Sequence, residues 1–453
     1  MQTIESSRSC ILEPPRSKAS AGFDAERKQE LGQFLTPESI GAFMASLFEE
    51  HPAEIRLLDA GAGGGALTAA LVNRFCADSR LLKRISIAAY EVDEQIARTL
   101  ERTLGLCGNE CRRHGIEFSA ELHRGDLIEA AISLVRGDLF GASATPFNAA
   151  ILNPPYRKIN SDSRTRRLLR EAGIETSNLY TGFLALAAKL LCDGGEMVAV
   201  CPRSFCNGPY FRPFREQFLA MMSLRRLHVF ESRSAAFQHD DVLQENIIIH
   251  AVKSPKKPES VVISTSSGKT GDKVTARPCP FGDVVSPLDP EQFIHLVAAE
   301  SDQVVRQKMR RFATPLAELG LEVSTGRVVD FRAKQFLVRQ SQDDTAPLIY
   351  PCHFNGGFVR WPKPGGKKPN AIRDTEGTQE LLVPGAIYVL VKRFTSKEDL
   401  RNFRSKCSRL GRCLWRGRRF PTSLSPSALP SRCSRAQNRI ASSGSARRAL
   451  QPR

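Results

Sequence analysis

The stretch Leu57-Leu58-Asp59-Ala60-Gly61-Ala62-Gly63-Gly64-Gly65-Ala66 constrains the fold of this chain more than any other. Two leucines end an apolar run, four glycines follow within five residues, and an alanine opens an amphipathic stretch. Glycine reaches positive φ without steric cost and lets the backbone pass close to a ligand. A helix that starts straight after such a turn aims its unpaired N–H groups at the same place. Apolar and amphipathic segments alternate around this turn. Residues 55–58, 85–90, 118–123, 149–152, 197–201, 227–230 and 242–252 read as strands, and 66–75 and 93–104 as helices. Strands separated by helices imply an α/β fold with a mainly parallel, doubly wound sheet. A ligand then belongs at the carboxyl ends of the strands.

The turn alone leaves the ligand open. Gly61-x-Gly63-x-x-Ala66 also matches the dinucleotide fingerprint, whereas a P-loop is excluded because no Gly-Lys-Ser/Thr follows. Glu91 ends the second strand, where a carboxylate accepts from both ribose hydroxyls of a nucleoside. That device is common to nicotinamide dinucleotides and S-adenosylmethionine. Asp126, after the third strand, is placed to accept from an adenine amino group. A single acid at a strand end is usually just solvated; with Asp59, three acids after three successive strands form a set.

The fourth strand runs into Asn153-Pro154-Pro155-Tyr156. An amide, two rigid prolines and an aromatic ring at a strand's carboxyl edge can hold a flat amino-bearing group and offer it to an electrophile. The structural alternative is a simple Pro-Pro turn.

The net charge of +17 invites a nucleic-acid reading, but it is unevenly spread. Residues 401–453 hold 13 Arg, one Lys and no acid, so the first 400 residues carry only +3. Ten Ser accompany those arginines, and so few apolar residues cannot build a core. No apolar run reaches the roughly 18 residues of a membrane span, and the N-terminus shows no secretory signal. The 12 scattered cysteines fit reduced, cytoplasmic thiols. Cys107-x3-Cys111-x2-His114 lacks a second ligand pair at zinc spacing, so no metal is expected. Composition shifts at Ser254-Pro255-Lys256-Lys257-Pro258 and again after Arg401. The expected organisation is an N-terminal segment at 1–30, a catalytic domain at 31–252, a second domain at 253–400 and a disordered tail at 401–453.

The ordered motifs resemble those of adenine-N6 DNA methyltransferases of type II restriction-modification systems, of the PstI/BsuBI sort. The resemblance runs from about residue 27 to 398. It rests on Gly32-Gln33-Phe34-Leu35-Thr36-Pro37, the glycine turn, the tetrapeptide, Phe237 with Asp241 to Asn246, Ser324 to Arg332, and Lys392-Arg393-Phe394. It implies a Rossmann-like class I S-adenosylmethionine-dependent methyltransferase domain followed by a target-recognition domain. It implies that Thr36, beside Pro37, contacts the methionine carboxylate and Asp59 its amino group. Gly61 and Gly63 line the cofactor, Glu91 binds the ribose, Asp126 the adenine, and Val92 and Leu127 sandwich that adenine. Asn153 and the Pro154 carbonyl, held by Pro155, take the two hydrogens of the target amine, while Tyr156 and Phe237 stack on the flipped base. Thr36-Pro37 also reads as a helix N-cap with proline at N1, and both roles are compatible. The implied partners are double-stranded DNA and, functionally, a cognate restriction endonuclease. A monomer suffices, and location with the nucleoid follows. Arg327, Arg332, Lys363, Lys367 and Lys368 are the candidate DNA contacts, with a solvated surface as the alternative for each.

Two other classes of function share these features. Amino methyltransferases acting on protein glutamine or RNA guanine carry the same tetrapeptide without so large a following domain. A DNA-binding protein impaired in turnover is the second, because the abrupt change near 399–405 reads as a shifted reading frame that leaves the recognition domain incomplete.

Overall fold

A computed structural model of the chain describes residues 36–49, 53–78, 81–136, 146–230, 245–267, 273–296, most of 303–391, and 413–416. It divides into two compact units, Met1–Met309 and Arg310–Arg453.

The first unit is built on a nine-stranded sheet. Its elements in chain order are α1 (Glu38–Ala45), β1 (Glu54–Ala60), α2 (Ala66–Asp78), β2 (Arg84–Glu91), α3 (Glu94–Arg113), β3 (Glu117–Arg124), α4 (Leu127–Arg136) and β4 (Phe147–Leu152). There follow α5 (Arg164–Glu171), α6 (Leu179–Leu190), β5 (Leu191–Pro202), α7 (Arg212–Met221), β6 (Met222–Phe230), β7 (Asn246–Lys253), β8 (Ser260–Ser266) and β9 (Thr275–Pro280). The strand order is β3-β2-β1-β4-β5-β7-β6-β8-β9. β3, β2, β1, β4 and β5 are mutually parallel, and β7 lies antiparallel between β5 and β6.

Helices cover both faces, so the central strands are apolar throughout rather than alternating. Period-two geometry then divides each strand between two cores. Ile247 and Ile249 join one core with Leu58, Leu152, Ala199 and Leu184; Ile248 joins the other with Leu57, Ile151, Val198, Leu67 and Leu100. Each fully buried Ile or Leu contributes about 1.5–3 kcal/mol, which is what holds the sheet's edge residues in place. Asp93 caps α3 by accepting from Gln95 N and Ile96 N. Cys107 and Cys111 of that helix are buried, and Cys111 Sγ lies 3.9 Å from Cys76 Sγ of α2. His114, just beyond the helix, meets Glu110 instead.

The expected boundary at 252/253 is corrected. β8 pairs parallel with β6 and β9 antiparallel with β8, so the sheet continues to Pro280. Val261 and Ile263 are buried in the same core as Leu227. The Pro/Lys-rich stretch at 254–258 is a surface turn inside the sheet, where Ser254 N donates to Met221 O and Lys257 Nζ to Leu219 O. Composition there signals solvent exposure, which a turn and a linker have in common.

The second unit holds a small sheet of β10 (Leu337–Val338), β14 (Ala371–Arg373) and β11 (Thr345–Pro347), in that order, all antiparallel. β12 (Phe354–Asn355) and β13 (Phe358–Val359) form a hairpin. Buried Asn370 is its polar hub. Its Oδ1 accepts from Lys363 N and His353 Nε2, and its Nδ2 donates to the carbonyls of Arg339 and Lys363. Tyr350 N donates to His353 Nδ1, so that ring carries its proton on Nε2. The tail, expected to be disordered, contributes β16 (Cys413–Arg416), antiparallel to β15 (Ile387–Leu390); 401–412 and 417–453 lie outside the described residues.

Candidate active site

The chain lays β1, β2 and β3 outward in one direction and then returns to place β4 on the other side of β1. Strand order reverses there, and the loops after β1 and β4 diverge to leave a crevice. Ala60 of β1 pairs with Leu152 of β4, so Asp59 and Asn153 leave neighbouring strand ends.

After β1 the backbone turns through Gly61 (φ 77°), Gly63 (φ 55°) and Gly65 (φ 85°). A Cβ on Gly65 would sit 2.9 Å from Leu100 Cδ1 and 3.0 Å from Thr103 Cγ2, so this glycine lets α2 pack on α3. A Cβ on Gly63 would meet no atom within 4 Å. Gly63 is thus required by its backbone angle alone, while Gly65 is required by its angle and by the core.

Three carboxylates stand at the ends of β1, β2 and β3, in unequal settings. Asp59 is fully buried; its Oδ2 accepts from Thr68 Oγ1 at 2.6 Å, and its Oδ1 is buried with no hydrogen-bond partner among the described residues. Burial, reinforced by the Glu91 charge, pushes this carboxyl up to about 7. Glu91 is also buried, which raises it above the ordinary carboxylate range against the pull of its amide donors. Gly63 N donates to Oε2 at 3.0 Å and Asp93 N to Oε1 at 2.7 Å, so the carboxylate ties the glycine turn to the end of β2. Asp126 is exposed and accepts from Ile128 N at the start of α4. The two expected adenine-flanking residues differ. Val92 is 56% exposed beside Glu91, an apolar side chain offered to a ligand, whereas Leu127 is 2% exposed and packed in the core.

The tetrapeptide follows β4 directly. Asn153 Nδ2 donates to Thr36 Oγ1 at 2.9 Å, and Tyr156 Oη donates to Asn153 Oδ1 at 3.1 Å, with Val200 O a second acceptor at 3.4 Å. One amide orientation satisfies both bonds, so Asn153 presents its oxygen on the tyrosine side and its nitrogen to Thr36. Burial holds the Tyr156 hydroxyl well above its ordinary range, so it stays a donor. Pro154 is buried and Tyr156 half-buried, with Tyr180 edge-on to it at 6.2 Å. Tyr180 in turn bonds Ser204 after β5. Thr36 and Pro37 precede α1, whose N-cap is Pro37 rather than Thr36 and has no side-chain cap; Pro37 O accepts from Ile40 N and Gly41 N, which fixes the chain one residue after the hydroxyl that faces Asn153.

In the second unit the candidate cations are exposed but partly engaged within the fold. Arg327 donates to the carbonyls of Glu380 and Leu382, and Arg332 lies over Phe331. Lys363 donates to Cys352 O, and Lys368 pairs with Asp330 at 2.6 Å over the Tyr350 ring. Lys367 is exposed on the same loop. Phe237 and Lys392 to Phe394 lie outside the described residues.

Residues 106–237 match the Eco57I restriction-modification methylase family. The chain is 40% identical over 391 residues to type II methyltransferase M.PstI of Providencia stuartii, spanning 86% of this chain and 76% of that protein. It is 44% identical over 379 residues to type II methyltransferase M.BsuBI of Bacillus subtilis, spanning 83% and 74%. The chain belongs to the type II restriction-modification methylases. Among solved structures, the type IIG restriction endonuclease BpuSI aligns at 15% identity and TM-score 0.45, over 85% of this chain and 48% of that one. A class I S-adenosylmethionine-dependent methyltransferase from Listeria monocytogenes aligns at 14% and TM-score 0.39, over 55% and 75%.

The cofactor of this methylase is S-adenosylmethionine, and the residues fit it. The orphaned Asp59 Oδ1 suits an ammonium group, and the Glu91 carboxylate, anchored by backbone amides that include those of Gly63 and Asp93, is the acceptor placed for the ribose hydroxyls. Val92 offers exposed apolar surface to a purine. Three contributors were not singled out from sequence: Thr68, which orients Asp59, and Tyr180 with Ser204, which support Tyr156. Thr68 was legible as a hydroxyl one turn into the helix after the glycines. Tyr180 and Ser204 come from distant segments and carry no local signal.

Proposed function

We propose that this methylase transfers a methyl group to the N6 amine of an adenine flipped out of double-stranded DNA, protecting that DNA from a cognate restriction endonuclease. The observation that carries the reading is the locked amide of Asn153, held between Thr36 and Tyr156. An exocyclic amine is a poor nucleophile because its lone pair is delocalised into the ring. Asn153 Oδ1 and the Pro154 carbonyl accept its two hydrogens and draw the nitrogen toward a tetrahedral state. Bound S-adenosylmethionine supplies a methyl group activated by its sulfonium. Because the acceptors are already oriented, little reorganisation accompanies charge development on nitrogen. Tyr156 stacks on the base, and Phe237 takes the other face. Extrusion costs about a few kcal/mol, and stacking returns roughly 1–3 kcal/mol per base. Residues 310–453 then contain the target-recognition module, with Arg327, Arg332, Lys363, Lys367 and Lys368 as its DNA contacts. The enzyme acts as a monomer in the cytoplasm, with its DNA substrate.

Loss of one preorganised partner costs about 2.7–4 kcal/mol, roughly 100- to 1,000-fold in kcat. Asn153→Ala should show that loss with cofactor affinity unchanged by calorimetry. Methyl transfer to DNA, RNA and protein is measured in parallel, with base analysis of the product. Label in RNA, in protein or on cytosine refutes the assignment.

A further inference from the structure

The segment that follows the catalytic tetrapeptide is strongly basic, and no role has been assigned to it. Residues 157–170 hold Arg157, Lys158, Arg164, Arg166, Arg167 and Arg170 against one acid, Asp162. All of these cations except Arg166 are exposed. We propose that this loop and α5 form a phosphate-binding rim on the catalytic unit, gripping the DNA backbone beside the flipped nucleotide. The proposal rests on the DNA reading above and deepens it by placing backbone contacts outside the recognition module.

Three observations carry it. The first is place: the rim starts one residue after Tyr156. Leu179 N donates to Arg157 O and Ile159 N to Ser177 O, so the loop is stitched to the start of α6 and held at the mouth of the crevice. The sugar and phosphates of a nucleotide whose base reaches Tyr156 must lie just outside that point. The second is rigidity. Ser163 caps α5 through Arg166 N, and fully buried Leu169 anchors the helix against Gly182 of α6, where an added Cβ would lie 3.0 Å from Leu169 Cδ1. Arg164 and Arg167, three apart, therefore share a solvent-facing side. The third is charge balance. Arg166 and Arg170 share Glu175, and Arg164 meets Glu129. Arg167 donates to the Asp162 backbone carbonyl at 3.1 Å, a bond that leaves its charge uncompensated, and Lys158 is exposed at the isolated bridge to Asn178. Two exposed cations with no carboxylate partner among the described residues, on a segment fixed beside the catalytic tetrapeptide, suit a polyanion.

The test uses the full chain and a short duplex of mixed sequence, with affinity measured by fluorescence anisotropy across a range of salt. Each lost phosphate contact lowers the slope of log K against log salt by ~0.9. Lys158→Gln/Arg167→Gln should therefore flatten the slope by ~1.8 while S-adenosylmethionine affinity and melting temperature stay at wild-type values. Arg112→Gln/Arg113→Gln removes the same charge from the last turn of α3, at the opposite end of the sheet, and should leave the slope unchanged. A wild-type slope in the first variant, or equal flattening in both, overturns the rim. A wild-type protein that neither binds DNA in a salt-dependent way nor methylates it overturns the DNA reading itself, and the rim falls with it.

Discussion

Thr36 is expected to act as a positioning residue for Asn153 as well as a cofactor contact, and the two roles can be separated. Its hydroxyl oxygen accepts from Asn153 Nδ2 at 2.9 Å, which leaves its own hydrogen to donate elsewhere. Thr36→Val keeps the shape of the side chain and removes both functions. A hydrogen bond of this kind contributes about 0.5–1.5 kcal/mol, so loss of amide orientation should slow transfer by roughly 2- to 12-fold. A bond from the hydroxyl to a carboxylate is charge-assisted and contributes about 1.5–3 kcal/mol, or roughly 12- to 160-fold in cofactor affinity. The assay is single-turnover methylation at saturating S-adenosylmethionine, with Kd measured separately by calorimetry. Thr36→Ser should restore both quantities. If Thr36→Val weakens cofactor binding but transfers at the wild-type rate once saturated, the positioning argument is refuted.

Two further outcomes follow from the glycine turn and its acids. Because burial raises Asp59 to about 7, the folded state keeps a proton that the unfolded chain releases near pH 4. The group's contribution to stability is therefore fully present below about pH 4 and is lost as pH rises to about 7. Asp59→Asn should abolish this component, so melting temperatures compared at about pH 5 and about pH 8 should show wild type losing ground to the variant; the reverse trend counts against the assignment. Gly65→Ala combines a φ of 85° with contacts of 2.9 and 3.0 Å. It should cost roughly 2–5 kcal/mol from backbone strain and overpacking together, as measured by denaturant titration. Gly63→Ala, with open space around its Cβ, should cost only about 1–2 kcal/mol and act mainly on cofactor affinity. Equal destabilisation by the two would refute the packing role of Gly65.

Much of the catalytic unit was legible in sequence because its signals are local. Strands buried on both faces, such as Ile247-Ile248-Ile249, need apolar residues at every position, so they stand out as runs. The glycine turn was legible for the same reason, since three of its residues adopt backbone angles that favour glycine. The sequence was ambiguous where one composition allows two settings. Ser254 to Pro258 has the content of a linker, yet it turns between strands of one sheet. Leu127 follows its acid just as Val92 does, yet it opens α4 facing the core while Val92 faces out. Lys368 sits in a basic run but is paired with Asp330, 38 positions away.

By itself, then, the sequence determined the alternation of strands and helices, the acids at the ends of β1, β2 and β3, and the chemistry latent in Asn153 to Tyr156. Those are properties of short segments, dictated by backbone geometry and by which side chains tolerate burial. Only the tertiary structure decided which oxygen of Asn153 faces Tyr156, which acid is left with an orphaned oxygen, and which cations remain uncompensated beside the crevice. Each of those depends on a partner supplied from elsewhere in the chain, Thr36 across 117 positions for Asn153 above all. Hydrogen-bond geometry and desolvation act through distance in space, which spacing along a chain does not encode.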